Sequence, residues 1–196
     1  MTRTIDFYFD FISPFSYLAQ LKLPDIARKA GCEVAYWPID IPEAKIAAGN
    51  YGPSNREVLP KIKVMKADLD RWAERYGVPL TFPASFDCAD WNCAVLFASQ
   101  HGKAEPFVTD AYRRIWGRGI DPRDRKELTA CASEAGLDAE ALIAFVESPV
   151  GQNEYRKART QAIQRGVFGA PLMFVDEQIF WGNDRLGFLA EYLNKK

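Results

Sequence analysis

Among 196 residues the chain has a single histidine, His101, and only four cysteines, Cys32, Cys88, Cys93 and Cys131. One imidazole and scattered thiols make a poor transition-metal site, because such ligands come in spaced clusters. No two cysteines stand as Cys-x-x-Cys, and so few are no disulfide scaffold. Reduced thiols in a cytoplasmic protein are the expectation, with Cys88 and Cys93 read as small buried hydrophobes. An excess of one charge is lacking too: 25 basic against 26 acidic side chains leave a net charge of −1. Nothing in that balance draws the protein to nucleic acid. No apolar run approaches the ~20 residues of a membrane span. The opening stretch MTRTIDFYFDFISPFSY is interrupted by Asp6 and Asp10, so no secretory signal is expected. Small molecules, rather than nucleic acid or membrane, are the expected partners.

What is present suffices for a folded core, with 48% hydrophobic and 13% aromatic residues. Thr4 to Phe9 alternates as a strand, and Glu33 to Pro38 reads as a second. Between them, Ser13 suits an N-cap, Pro14 a first helical turn and Gly31 a helix end, with a break expected near Leu23 ahead of Pro24. From about Pro42 to about Arg165 the spacing is helical and no convincing strand occurs. Helices are expected at Val58–Tyr76, Ala89–Gln100, Pro106–Trp116, Asp124–Ala135, Asp138–Glu147 and Pro149–Arg165. Leu172–Val175 and Gln178–Trp181, joined by Asp176-Glu177, read as a hairpin, and Leu186–Leu193 as a last helix. The predicted class is α/β, a thioredoxin-like fold with a large all-helical insertion. Residues 1–41 and 166–196 would form the thioredoxin-like domain and residues 42–165 the helical insertion domain.

Four segments sharpen this reading. They are Asp10-Phe11-Ile12-Ser13-Pro14-Phe15-Ser16-Tyr17, Gly49-Asn50-Tyr51-Gly52-Pro53-Ser54-Asn55-Arg56, Gly166-Val167-Phe168-Gly169-Ala170-Pro171 and Trp181-Gly182-Asn183-Asp184-Arg185-Leu186. In that order and spacing, over nearly the whole chain, they resemble the 2-hydroxychromene-2-carboxylate isomerase family, in the DsbA-like, kappa-class glutathione transferase branch. Relatives with redox activity carry Cys-x-x-Cys where this chain has Ser13 and Ser16. Serine cannot cycle between thiol and disulfide, so dithiol exchange at this position is excluded. The resemblance implies glutathione as the source of any working thiolate, a homodimer, and a glutathione-dependent isomerase of aromatic hydrocarbon catabolism. Its reaction would interconvert 2-hydroxychromene-2-carboxylate and trans-o-hydroxybenzylidenepyruvate by reversible thiolate addition. A kappa-type glutathione transferase or peroxidase, and a DsbA-like binding module without catalysis, are the alternatives.

The resemblance also assigns residues. Ser13 is the expected catalytic residue. A plain N-cap is the better explanation of an isolated Ser-Pro pair, but a hydroxyl at a helix start can also donate to a sulfur anion. A free thiol is only ~3% ionised at pH 7, so such help has work to do. Ser16 ranks behind Ser13. Ala170-Pro171 would be a cis bond that exposes backbone to the cysteinyl part of glutathione. Val167 and Phe168 would wall that groove, and Trp181, Asn183 and Asp184 would bind the γ-glutamyl end. Asp184 could equally cap a helix; Arg185 is less securely placed. Lys45, Asn50, Asn55 and Arg56, on a loop broken by Gly49, Gly52 and Pro53, would roof the aromatic acid substrate. Phe82 and Pro83 would supply its apolar wall, with Trp72 and Phe86 as further candidates. Arg113, Arg114, Arg123 and Arg125 read as a solvated helix face.

Overall fold

A computed structural model describes residues 3–55 and 57–195. Its sheet joins the two ends of the chain, in strand order β2-β1-β3-β4. The strands are β1 (Arg3–Phe9), β2 (Cys32–Pro38), β3 (Leu172–Val175) and β4 (Gln178–Trp181). β1 and β2 run parallel with Phe9 opposite Pro38, while β3 runs antiparallel to β1 with Tyr8 opposite Leu172. β4 completes the hairpin, Leu172 facing Trp181.

The crossover from β1 to β2 is broken in two as expected. α1 (Pro14–Gln20) ends before α2 (Leu23–Lys29), which restarts with Pro24 in its first turn, where a missing N–H is harmless. Between β2 and β3, among the described residues, there are helices and no strands: α3 (Ile41–Ala47), α4 (Leu59–Tyr76), α5 (Ala89–Gln100), α6 (Ala104–Tyr112), α7 (Arg125–Glu134), α8 (Ala139–Glu147) and α9 (Pro149–Gln164). α10 (Leu186–Leu193) closes the chain. α4 ends at Gly77 in the left-handed conformation (φ 64°), and Asp138 caps α8 by accepting from Ala141 N at 3.0 Å.

Three expectations are corrected. Lys45 lies on a helix, α3, and not on a loop. Asp40 accepts from Glu43 N at 2.8 Å and Pro42 sits in the first turn, so the helix starts before the glycines can prevent it. The helix expected at Pro106–Trp116 stops at Tyr112 and continues as one π-helical turn, Arg113–Gly117. Arg114, within that turn, is not solvated. The residue is 5% exposed, and its guanidinium pairs with Asp110, with Glu127 at 2.7 Å and with Glu134 at 2.6 Å, which offsets the cost of burying it.

Strand alternation assigns the two sheet faces. Ile5, Phe7 and Phe9 of β1 point into the main core with Tyr36, Trp91, Tyr112, Trp116 and Leu189. Phe7 stacks on Phe9, and Phe9 meets Phe11 edge-on at 5.3 Å. Tyr8 points the other way, into a smaller cluster with Ile39, Ala44, Ala162, Val167 and Phe174. The helical block and both chain ends therefore share one core, and the loops that carry the candidate site emerge from its rim. No described helix is long and apolar enough to cross a membrane.

Candidate active site

The strand registers place the predicted segments at one end of the sheet. β1 runs out at Phe9, and the Asp10–Ser13 turn begins there. Because Tyr8 faces Leu172, the antiparallel register brings Pro171 opposite the end of β1. Trp181 faces Leu172 from the other side, so Gly182 to Arg185 leave β4 at the same end. Pro38 faces Phe9, so α3 starts there as well.

Ser13 has extended backbone (φ −96°, ψ 112°), and its Oγ accepts from Ser16 N at 3.2 Å. It is thus the N-cap that composition alone suggests, and the cap uses the oxygen as an acceptor. A hydroxyl has one proton and two lone pairs, so the proton can still be donated. Ser13 is 4% exposed and Ser16 0%, which keeps Ser16 within the helix packing.

The Ala170–Pro171 peptide bond is cis. Pro171 O accepts from Gly182 N at 2.9 Å, tying the proline to the Trp181–Asp184 segment. Phe168 and Trp181 are 39% and 57% exposed and pack edge-to-face at 4.9 Å, a paired aromatic surface beside the proline. Val167 is different: its side chain is 2% exposed in the smaller core, so it cannot wall a groove. Asn183 is buried, and its Oδ1 accepts from Tyr76 OH at 3.2 Å while its Nδ2 has no partner. Asp184 is half exposed and paired with Arg185 at 3.0 Å; it caps no helix, since neither the 183–185 turn nor α10 has a side-chain cap. Gly182 is required here. Its φ is 108°, and a Cβ would come within 2.4 Å of Asp184 Oδ1.

The substrate-facing candidates divide. Phe82 is 45% exposed and meets Trp116 edge-on at 5.4 Å, with Phe86 at 6.1 Å. Trp116 Nε1 donates to Phe11 O at 2.7 Å, and Tyr17 OH donates to Pro79 O at 2.9 Å, so this wall is fastened to the Ser13 turn and α1. Pro83 is buried and offers no surface. Trp72 packs on Tyr76, the residue that holds Asn183. Lys45 Nζ donates to Gly52 O and Pro53 O at 2.5 and 3.1 Å, folding the following loop back on α3. Asn50 is exposed on that loop, and Asn55 accepts from Lys61 Nζ at 3.3 Å. None of the described contacts of Asn50 or Asn55 reaches the Ser13 turn. Arg56 lies outside the described residues.

Residues not singled out as site candidates hold this end together. Asp10, Asn92, Tyr112 and Tyr155 are all buried. Asn92 Nδ2 donates to Asp10 Oδ1 at 2.8 Å, and Tyr112 OH donates to Asp10 O at 3.0 Å. The sequence signal was Asn92 itself, a polar residue in the apolar run Trp91–Val95, which has to find a partner. The cysteines take no part: all four are buried, and burial pushes the Cys93 thiol up to about 12.

Residues 4–194 match the DSBA-like thioredoxin domain family. A 2-hydroxychromene-2-carboxylate isomerase from Sphingobium xenophagum is 76% identical over 193 residues, covering 98% of this chain and 99% of that protein. The chain belongs to the 2-hydroxychromene-2-carboxylate isomerase family. A solved structure of a 2-hydroxychromene-2-carboxylate isomerase superposes with a TM-score of 0.90 at 40% identity, over 97% of this chain and 94% of that one. Glutathione S-transferase kappa 1 of Homo sapiens is 25% identical over 213 residues, covering 100% of this chain and 93% of its own length. In this isomerase-family chain Ser13 caps α1 and Ser16 lies in its first turn, so the start of that helix carries hydroxyls and no thiol.

Proposed function

We propose that the protein interconverts 2-hydroxychromene-2-carboxylate and trans-o-hydroxybenzylidenepyruvate with glutathione as its cofactor. The observation that carries this reading is the grouping, at one end of the sheet, of a serine hydroxyl in place of a redox thiol, a cis-proline, and a paired aromatic surface beside a buried amide with an unused donor. These residues fit a peptide thiol. The backbone before Pro171 can pair with a peptide in strand fashion, and Phe168 and Trp181 flank it. Asn183 Nδ2, buried without a partner, would gain a hydrogen bond from a polar ligand atom, and such an orphan is costly without one. Asp184, half exposed, suits the ligand's ammonium.

The chemistry glutathione supplies when bound is a nucleophilic thiolate, able to add to a conjugated double bond and leave again after rotation. Ser13 donates its hydroxyl proton to the sulfur anion, lowering the fraction lost to the unreactive thiol. Lys45 meets negative charge on the substrate's oxygens. Phe82 and Phe86, backed by Trp116, present an apolar wall to the aromatic ring. No proton-transfer histidine is needed, and His101 sits at the C-terminal end of α5, its ring tilted against Phe97 at 4.2 Å. The proposed assembly is a homodimer.

The test is the ultraviolet spectrum of a hydroxychromene carboxylate incubated with the protein, with and without added glutathione after the cofactor has been dialysed away. Conversion that requires glutathione is the expected result. Conversion of equal rate without it rejects the cofactor. Absence of conversion alongside rapid conjugation of a chlorodinitrobenzene rejects the reaction in favour of a transferase.

A further inference from the structure

Asp10 is the residue from which the Ser13 turn departs, and it is 2% exposed. A carboxylate buried so deeply ordinarily has a cationic partner. Among the described residues, this one is held by N–H donors instead. Oδ1 accepts from Ile12 N at 3.2 Å and Asn92 Nδ2 at 2.8 Å, and Oδ2 accepts from Ile41 N at 3.0 Å. Ile12 immediately precedes Ser13. Ile41 is the first residue of α3, and Lys45 follows one turn later. The two oxygens of one side chain therefore hold two separate segments. The Asp10 carbonyl adds Ser13 N at 2.9 Å.

We propose that Asp10 is a positioning residue whose ionised carboxylate sets the spacing between the Ser13 turn and α3, and so between the hydroxyl and the ammonium that the reaction uses. This rests on the roles given above to Ser13 and Lys45. The contribution is geometric, since a carboxylate beside the turn repels an anion held there. A carboxylate presents two acceptor oxygens and no donor. An amide turns one of those positions into a donor that faces Ile41 N or the Ile12–Asn92 pair, and a protonated carboxyl keeps there only the weaker acceptor of a hydroxyl. One of the two segments is then released in the amide and held less firmly by the protonated carboxyl.

Protonation is within reach of ordinary buffers. Burial raises the Asp10 carboxyl to about 6, against the bonds from Asn92, Ile41 and Ile12 that lower it. The groups that face it are the Asp40 carboxylate at the start of α3, Asn92 on α5, Tyr112 with Cys88 beside it, and Tyr155 on α9. Arg159, also on α9, reaches Asp40 at 3.8 Å and Glu43 at 2.8 Å. Burial pushes both tyrosines upward, so neither ionises near pH 6.

The decisive measurement follows the backbone amide resonances of Ile12 and Ile41 in ¹⁵N-labelled protein from about pH 4.5 to 7.5. They are expected to titrate together near pH 6, and to be flat in Asp10→Asn. Over the same range the kcat of isomerisation should fall on the acid side with that midpoint. In Asp10→Asn the acid limb should vanish and kcat should drop roughly 10- to 100-fold at pH 7.5, with a smaller change in KM. Amides that do not titrate together, or Asp10→Asn with wild-type kcat, overturn the proposal. If that variant does not fold, the wild-type amide titration alone decides. Ser13→Ala with full turnover rejects the underlying role of Ser13 and leaves the amide result standing, so the two failures are distinguishable.

Discussion

The two halves of the candidate site are built differently. The Ser13 turn is buried and bonded on all sides, with Asp10, Asn92, Tyr112 and Trp116 each fixing a backbone atom of residues 10–12 or a group bonded to one. The loop after α3 is exposed, Tyr51 being 80% accessible, and it is tied to α3 by Lys45 Nζ on two carbonyls and by Asn50 N on Lys45 O at 3.0 Å. The first arrangement holds a donor in one place, as stabilising a developing charge requires. The second holds a cation against two carbonyls of an exposed loop, a setting that suits the proposed role of Lys45 toward a substrate that enters and leaves. If this division is correct, substitutions at the buried end act on the chemical step and those on the loop act on substrate binding.

The largest expected effect is at the buried end. Ser13→Ala removes one donor to an anion and should reduce kcat/KM by about 10²–10³-fold. The lost cap should cost only about 1 kcal/mol of stability, so the variant stays folded in a denaturation experiment. A variant with near-normal turnover, or one lost only through unfolding, breaks the comparison.

Acid stability comes next. The Asp10 carboxyl is raised from 3.8 to about 6, so the folded protein binds its proton more readily than the unfolded chain. Its contribution to stability is then fully present below about pH 4 and is lost as pH rises through 6, by up to about 3 kcal/mol. Urea unfolding of wild type and Asp10→Asn at about pH 4.5 and 7.5 isolates this term as the difference between the two proteins. A difference that does not change with pH removes Asp10 from the account. A buried charge that lowers stability at neutral pH is what a positioning residue, rather than a packing residue, would show.

Much of this was legible in the sequence because it depends on local spacing. Two hydrophobic periods, the Pro-Gly punctuation and the Asp138 cap gave the elements, and the hairpin around Asp176-Glu177 was found to the residue. The cap at Ser13 is legible from Ser13-Pro14 itself, whereas the cis-proline follows only from the resemblance. What was not legible depends on contacts distant in sequence. Asp10 and Asn92 are 82 positions apart, and no periodicity announces that they bond. Val167 and Pro83 have neighbours that are exposed, so only the packed structure shows their side chains turned inward. Arg114 looked like part of a solvated run because its three carboxylate partners come from α6 and α7. At Lys45 the glycines downstream signal a loop, but the Asp40–Glu43 cap ahead of it starts a helix that runs to Ala47.

A middling effect is expected at the aromatic pair beside the cis-proline. Trp181→Ala removes half of that pair. The residue is exposed, so stability should be nearly unchanged. Calorimetric titration should show glutathione binding weakened roughly tenfold, about 1.4 kcal/mol. Unaltered affinity would mean that the aromatic pair faces away from the ligand and that the peptide lies elsewhere.

The smallest effect, and the sharpest for the comparison, is expected at Lys45. Its ammonium lies near the surface on two carbonyls, and an ion pair in such a place is worth at most about 1 kcal/mol. Lys45→Met should therefore raise the KM for the aromatic acid by about fivefold, with glutathione affinity unaltered. The same substitution frees Gly52 O and Pro53 O, but both can turn to water, so no stability penalty follows. Added salt should weaken substrate binding in wild type and have less effect on the variant, because screening acts on a charge the variant lacks. A fall in kcat of the size expected for Ser13→Ala, with KM unaltered, would instead place Lys45 in the chemical step. That result would make the loop part of the preorganised machinery and erase the distinction between the two halves.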